Sequence, residues 1–287
     1  MIRRLASIFI LTSSAIPASE PTLREQVGAL FREQKWADAQ VVLEKAVAAE
    51  PENAEAFFFL GVSFLNRNDA ERALPVLEKA VALAPDNSNY VRHVGDACGM
   101  LAQKAGLFSQ MGWAKKCIAA YDKAVDLDPK DVNARWSVME YCRQAPGFLG
   151  GGMEKAYAQA AAIKHLDPAR GRTAYTELYI AEKKFPEAFA VYDEVLKGSP
   201  DDFATLYQVG KLADTTGREF DHGLAALRRC LILTPPADSP GSGPVHWRIG
   251  NILAKQGDKA AARAAYEAAL AADPKFSPAA EALAKLN

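Results

Sequence analysis

Several things are scarce in this chain of 287 residues, and each scarcity removes a class of function. Net charge is only -1, so no excess positive field exists to hold nucleic acid, and no acidic bias calls for a cationic partner. The longest apolar run, Leu5 to Ile16, is interrupted by Ser7, Thr12, Ser13 and Ser14. It is too short to span a bilayer. The four histidines (His93, His165, His222 and His246) have no second His, Cys or carboxylate at a recurring metal-ligand spacing. Asp126-x-Asp128 lacks the glycine of a calcium loop, and no Gly-x-Ser-x-Gly elbow is present. Neither a cofactor nor a metal is expected, and the chain is expected not to be an enzyme.

What the sequence has at its start is a leader pattern. Arg3 and Arg4 precede the apolar Leu5–Leu11, and small residues follow through Ala18. A cleavable secretory signal over 1–18 is expected, with a periplasmic or secreted mature protein. There is no lipobox cysteine to anchor it.

The dominant pattern comes after the leader. A small residue recurs twelve positions before a proline: Ala39 and Pro51, Ala73 and Pro85, Cys117 and Pro129, Ala156 and Pro168, Ala188 and Pro200, Gly223 and Pro235, Ala262 and Pro274. A fixed interval of this kind marks a repeat architecture. In 54–85, Leu60, Gly61 and Phe64 share one helical face, Asn66–Asp69 supply a turn, and Ala73, Leu77 and Ala80 share a face of a second helix. Gly61 and Ala73 are small because two antiparallel helices cross there, and Pro85 stops the second helix.

Leu60, Gly61, Phe64, Ala73, Leu77, Ala80 and Pro85 resemble the tetratricopeptide repeat, as do Ile249, Gly250, Gly257, Ala262, Tyr266, Ala269 and Pro274. The resemblance implies an all-α, right-handed solenoid of antiparallel helix pairs: seven pairs over 19–274 and a capping helix over 275–287. Thr22 and Glu25 form a capping-box pattern at its start. Ser277 is expected to cap the last helix, with Pro278 in its first turn. It also implies a non-catalytic scaffold or adaptor that binds a protein or peptide in a concave groove; the oligomeric state stays open. The family's clamp for a C-terminal carboxylate, with Lys, Asn and Arg at set inner positions, is absent.

Departures from the beat are informative. Successive repeat prolines lie 34, 44, 39, 32, 35 and 39 residues apart, against 34 for a regular unit. The extra residues of the third unit fall between Gly95 and Cys117 and include Phe108 and Trp113, which either pack within lengthened helices or form an exposed apolar lip. The fourth unit carries the Gly-rich 146–152 with Phe148 and Leu149. This stretch is a structural turn, a partner contact or, as the alternative function, the ligand site of an envelope enzyme's accessory subunit or of a ligand-binding protein. It lacks the Gly-Lys-Ser/Thr and the preceding strand of a phosphate loop.

In this family the first helix of each pair lines the concave wall. Three residues before the crossing glycine stand Phe58, Tyr207 and Trp247, and alignment of the other units adds Arg92, Trp136 and Tyr175. Five aromatics in six places exceeds the chain's 9% aromatic content and suits an extended peptide. A slip of one residue would instead put them between helices. The cysteines Cys98, Cys117, Cys142 and Cys230 are expected as buried free thiols, with a Cys98–Cys117 bridge as the alternative.

Overall fold

The computed structural model describes residues 22–286 and, within them, all side chains except those of Leu107 and Phe108. The leader expected over 1–18 lies outside the described residues. Those residues fall into two compact units that divide between Trp113 and Ala114.

The first unit holds α1 (Leu23–Arg32), α2 (Trp36–Ala49), α3 (Ala54–Asn66), α4 (Ala70–Leu83), α5 (Ser88–Lys104) and the start of α6 (Leu107–Leu127). The second holds the rest of α6 and then α7 (Val132–Gln144), α8 (Met153–Leu166), α9 (Pro168–Ala181), α10 (Phe185–Gly198), α11 (Phe203–Thr216), α12 (Phe220–Ile232), α13 (Ser242–Gln256), α14 (Lys259–Ala272) and α15 (Ser277–Lys285). A single 3-10 turn, Gly147–Leu149, lies between α7 and α8. The described residues contain no strand.

Polar side chains start these helices. Asn53, Asp69, Asn87, Asp202 and Asp258 each accept a hydrogen bond from the backbone amide three residues on. Each such cap contributes about 1 kcal/mol. Thr22 and Glu25 form the expected capping box. One expectation is corrected at the other end: Phe276, not Ser277, precedes α15, and Ser277 is its first residue. The reason is tertiary, because the Phe276 ring packs edge-on against Trp247, 5.8 Å between centroids, which fixes where the chain turns.

Small residues set the crossings. A Cβ on Gly61 would stand 2.5 Å from Leu77, and one on Gly250 would stand 2.5 Å from Tyr266. The partner is the large side chain four residues beyond the small one at 73 or 262, so glycine interlocks with leucine in one pair and tyrosine in the other, as hole and knob. Ala39, Leu43, Leu77 and Ala80 are fully buried in the first unit, as are Ile163, Leu178, Leu227 and Ile252 in the second. The extra residues of the third repeat lengthen helices: α5 has 17 residues and α6 has 21, against 14 in α4.

Candidate functional site

In the second unit the first helices of successive pairs lie near one another: α7 meets α9, and α11 meets α13. Four of the sequence-selected residues stand on these helices, and all four are half-buried. Each is held by a basic side chain. The Arg170 guanidinium lies 5.4 Å from the Trp136 ring centre and donates to Asn133 Oδ1 at 2.8 Å. Lys164 Nζ lies 5.7 Å from the Tyr175 ring, which also packs beside Tyr157 and Tyr179. Arg248 lies 5.3 Å from the Tyr207 ring and 5.1 Å from Trp247, and its Nε donates to the Tyr207 hydroxyl at 3.0 Å. These cation–π contacts fix ring orientation while leaving part of each ring open.

Beneath Arg248 is a polar cluster that sequence reasoning did not single out. Asp214 is buried, and its carboxylate accepts from Arg248 Nη1 at 2.8 Å, Lys255 Nζ at 2.7 Å and Asn251 Nδ2 at 3.1 Å. The Tyr266 hydroxyl donates to Asn251 Oδ1 at 2.9 Å. A charge this far from water persists only with such partners. The available signal was spacing: Arg248, Asn251 and Lys255 share one face of α13, and Asp214 follows Tyr207 by two turns of α11.

A cleft of about 150 Å³ opens between α9 and α11 above Tyr192 of α10. Ile180, Leu212 and Tyr192 give it apolar walls, and Thr173, Thr176, Glu177, Gln208, Lys211 and Thr215 complete it. On neighbouring α7, Arg143 pairs with Glu140, its Nε donating at 3.0 Å. Burial, followed by the like charge of Glu140, raises the Glu177 carboxyl above its ordinary range despite Arg143 and Lys211 nearby.

Two expected positions belong to the first unit. Phe58 requires a correction: it is 7% exposed and belongs to the core. Tyr90 of α5 stacks on it at 4.5 Å, while His93 and Phe59 meet its edges and face. The run Phe57-Phe58-Phe59 gives α3 apolar side chains on several faces, and α5 covers the middle one. Arg92 of α5 bonds to Asp96 at 2.9 Å and Asn89 at 3.2 Å, and its Nε is buried without a hydrogen-bond partner.

Among the loop residues, the Phe108 side chain is outside the described residues, Trp113 is half-buried, and Phe148 is 75% exposed. Leu149 is half-buried and its carbonyl accepts from the Tyr141 hydroxyl at 2.8 Å; burial pushes that hydroxyl up to about 12. The Gly-rich turn is closed on itself. The amides of Leu149 and Gly151 donate to Pro146, that of Gly150 to Gly147, and that of Gly152 to Cys142. Gly150 and Gly152 have φ of 87° and 124°, where a side chain would be strained. An anion would find those four amides already committed. None of the four cysteines is in a disulfide among the described residues, and all four are buried; burial pushes the Cys230 thiol up to about 11. No group of three or more His, Cys, Asp or Glu residues suited to a metal occurs among the described residues. None of the described helices is long and apolar enough to cross a membrane.

Family models of the tetratricopeptide repeat match residues 25–88, 99–131 and 243–276. The chain carries tetratricopeptide repeats. Among solved structures, the tetratricopeptide repeat protein from Parabacteroides merdae is 16% identical with a TM-score of 0.55, over 92% of this chain and 96% of that one. A thermophilic tetratricopeptide protein of Thermus thermophilus is 18% identical with a TM-score of 0.53, over 73% of this chain and 98% of that one. Yeast Tom70 is 17% identical with a TM-score of 0.60, over 88% of this chain but 51% of Tom70. The likeness is one of tetratricopeptide fold. No curated protein matches the chain.

Proposed function

We propose that this tetratricopeptide chain is a non-catalytic scaffold that binds a protein or peptide along the first helices of its second unit, after export to the cell envelope. One observation carries the reading: Trp136, Tyr175, Tyr207 and Trp247 sit half-buried on α7, α9, α11 and α13, each with a basic group against its ring. Pre-oriented rings give a large contact area with little further loss of rotamer freedom. A ligand site on the Gly-rich turn is the weaker reading, since four of its amides are bonded internally.

Crosslinking and capture from a periplasmic extract test it. Tyr207→Ala combined with Trp247→Ala should abolish capture while the helical circular dichroism signal persists. Capture that survives both changes removes the groove reading.

A further inference from the structure

The cleft between α9 and α11 is unusual in what its polar groups offer. Thr176 Oγ1 donates to the Arg172 carbonyl at 2.9 Å, and Thr173 Oγ1 to the Ala169 carbonyl at 3.4 Å. Their hydrogens are committed to the helix, so both hydroxyls present lone pairs to the cleft. Glu177 is half-buried, and among the described residues it makes no hydrogen bond, only charge interactions with Glu140, Arg143 and Lys211. An ionised carboxylate only accepts. Three acceptor groups therefore line the cleft from α9, beside Ile180 of the same helix and opposite the apolar Leu212 and Tyr192.

We propose that this cleft is a subsite for a lysine side chain of the bound polypeptide, its ammonium held by Glu177, Thr173 and Thr176 and its methylene stem lying on Ile180, Leu212 and Tyr192. This deepens the scaffold reading and rests on it. An ammonium carries three donors and no acceptor, which complements the acceptors here. A long aliphatic stem with a charged head matches an apolar wall ending in a carboxylate. Lys211 of α11 is the opposing group. It is exposed and close enough to Glu177 to lower its carboxyl, forms no ion pair within 4.0 Å among the described residues, and its flexible stem lets its head swing into solvent as the ligand enters.

The raised Glu177 carboxyl agrees with this geometry, because burial and Glu140 outweigh Arg143 and Lys211. The main cause is burial, so an ammonium that reached the carboxylate would replace hydration that Glu177 lacks. Glu140 and Arg143 face Glu177 from α7, Lys211 faces it from α11, and Tyr192 lies on the floor from α10. Binding should be strongest with Glu177 ionised. It should weaken as pH falls through a range lying above that of an ordinary glutamate.

The test is an NMR titration of the full chain, followed at the backbone amides of Thr173, Thr176 and Thr215, with three probes. These are Nα-acetyl-lysine N-methylamide, Nα-acetyl-norleucine N-methylamide, and norleucine N-methylamide with a free α-ammonium. The lysine probe should bind saturably and at least about tenfold more tightly than acetyl-norleucine, as expected for hydrogen bonds to a charged group. Glu177→Gln should remove that preference, and Lys211→Met should strengthen lysine binding. Equal binding of the lysine and acetyl-norleucine probes overturns the proposal, as does undiminished lysine binding by Glu177→Gln. Stronger binding of the free α-ammonium probe assigns the cleft to a chain terminus and also overturns it. Loss of lysine binding alongside Trp247-dependent capture removes the subsite alone. Loss of capture as well removes the scaffold reading.

Discussion

At the scale of single residues, the repeat is specified by how little room certain positions allow. Gly250 faces the ring of Tyr266, and a methyl group there would stand 2.5 Å from Cε1. Tyr266 cannot retreat freely, because its hydroxyl is bonded to Asn251. Gly250→Ala should therefore lower stability by about 1–3 kcal/mol through overpacking, in spite of alanine's higher helix propensity. Chemical denaturation followed by circular dichroism measures this, and an unchanged midpoint would show that the crossing can open without penalty. Such small residues were legible in the sequence because they recur in phase. For Phe58 the sequence left groove and inter-helix core both open, because its burial is decided by Tyr90 and His93 on α5, a whole helix pair away.

At the scale of elements, α11 and α13 are joined by more than apolar packing. Asp214 on one helix gathers Arg248, Asn251 and Lys255 from the other. Asp214→Ala leaves Arg248, itself only 13% exposed, without its carboxylate. Breaking a buried pair from one side costs about 3 kcal/mol, so the variant should unfold at clearly lower denaturant than its parent. A loss within about 0.5 kcal/mol, the ordinary range for surface substitutions, would mean that the cluster is dispensable. The cleft between α9 and α11 escaped sequence reasoning for a related reason. Thr173, Thr176 and Glu177 read as an ordinary polar stretch of helix, and only their placement opposite Leu212 and above Tyr192 makes them a lining. The Gly-rich turn was legible as irregular, but its closure on itself depends on carbonyl directions that composition does not encode.

At the scale of the whole molecule, the small-residue and proline pairs recur through the sequence at uneven spacing, and the described residues gather into two compact units. The division falls inside α6, in the segment where about ten residues exceed the regular 34-residue period. The proposed export gives a measurable outcome for the whole chain. Protein recovered from its native envelope should begin near Ser19, and alkylation under native conditions should leave all four thiols unmodified, since Cys98, Cys117, Cys142 and Cys230 are each at most 3% exposed. Intact mass before and after denaturation reads both. A mature chain retaining Met1, or rapid native labelling, would contradict the respective expectation.

The position of Arg248 has a consequence for how this surface responds to change. One guanidinium touches the rings of Tyr207 and Trp247 and anchors on Asp214. The two rings therefore share a single support, and their free energies are coupled rather than independent. Removing either ring frees Arg248 to shift against the other, so the paired alanine changes should differ from the sum of the single ones. A ligand that presses on one ring will be felt at the next, across a full helix pair, without any helix having to move.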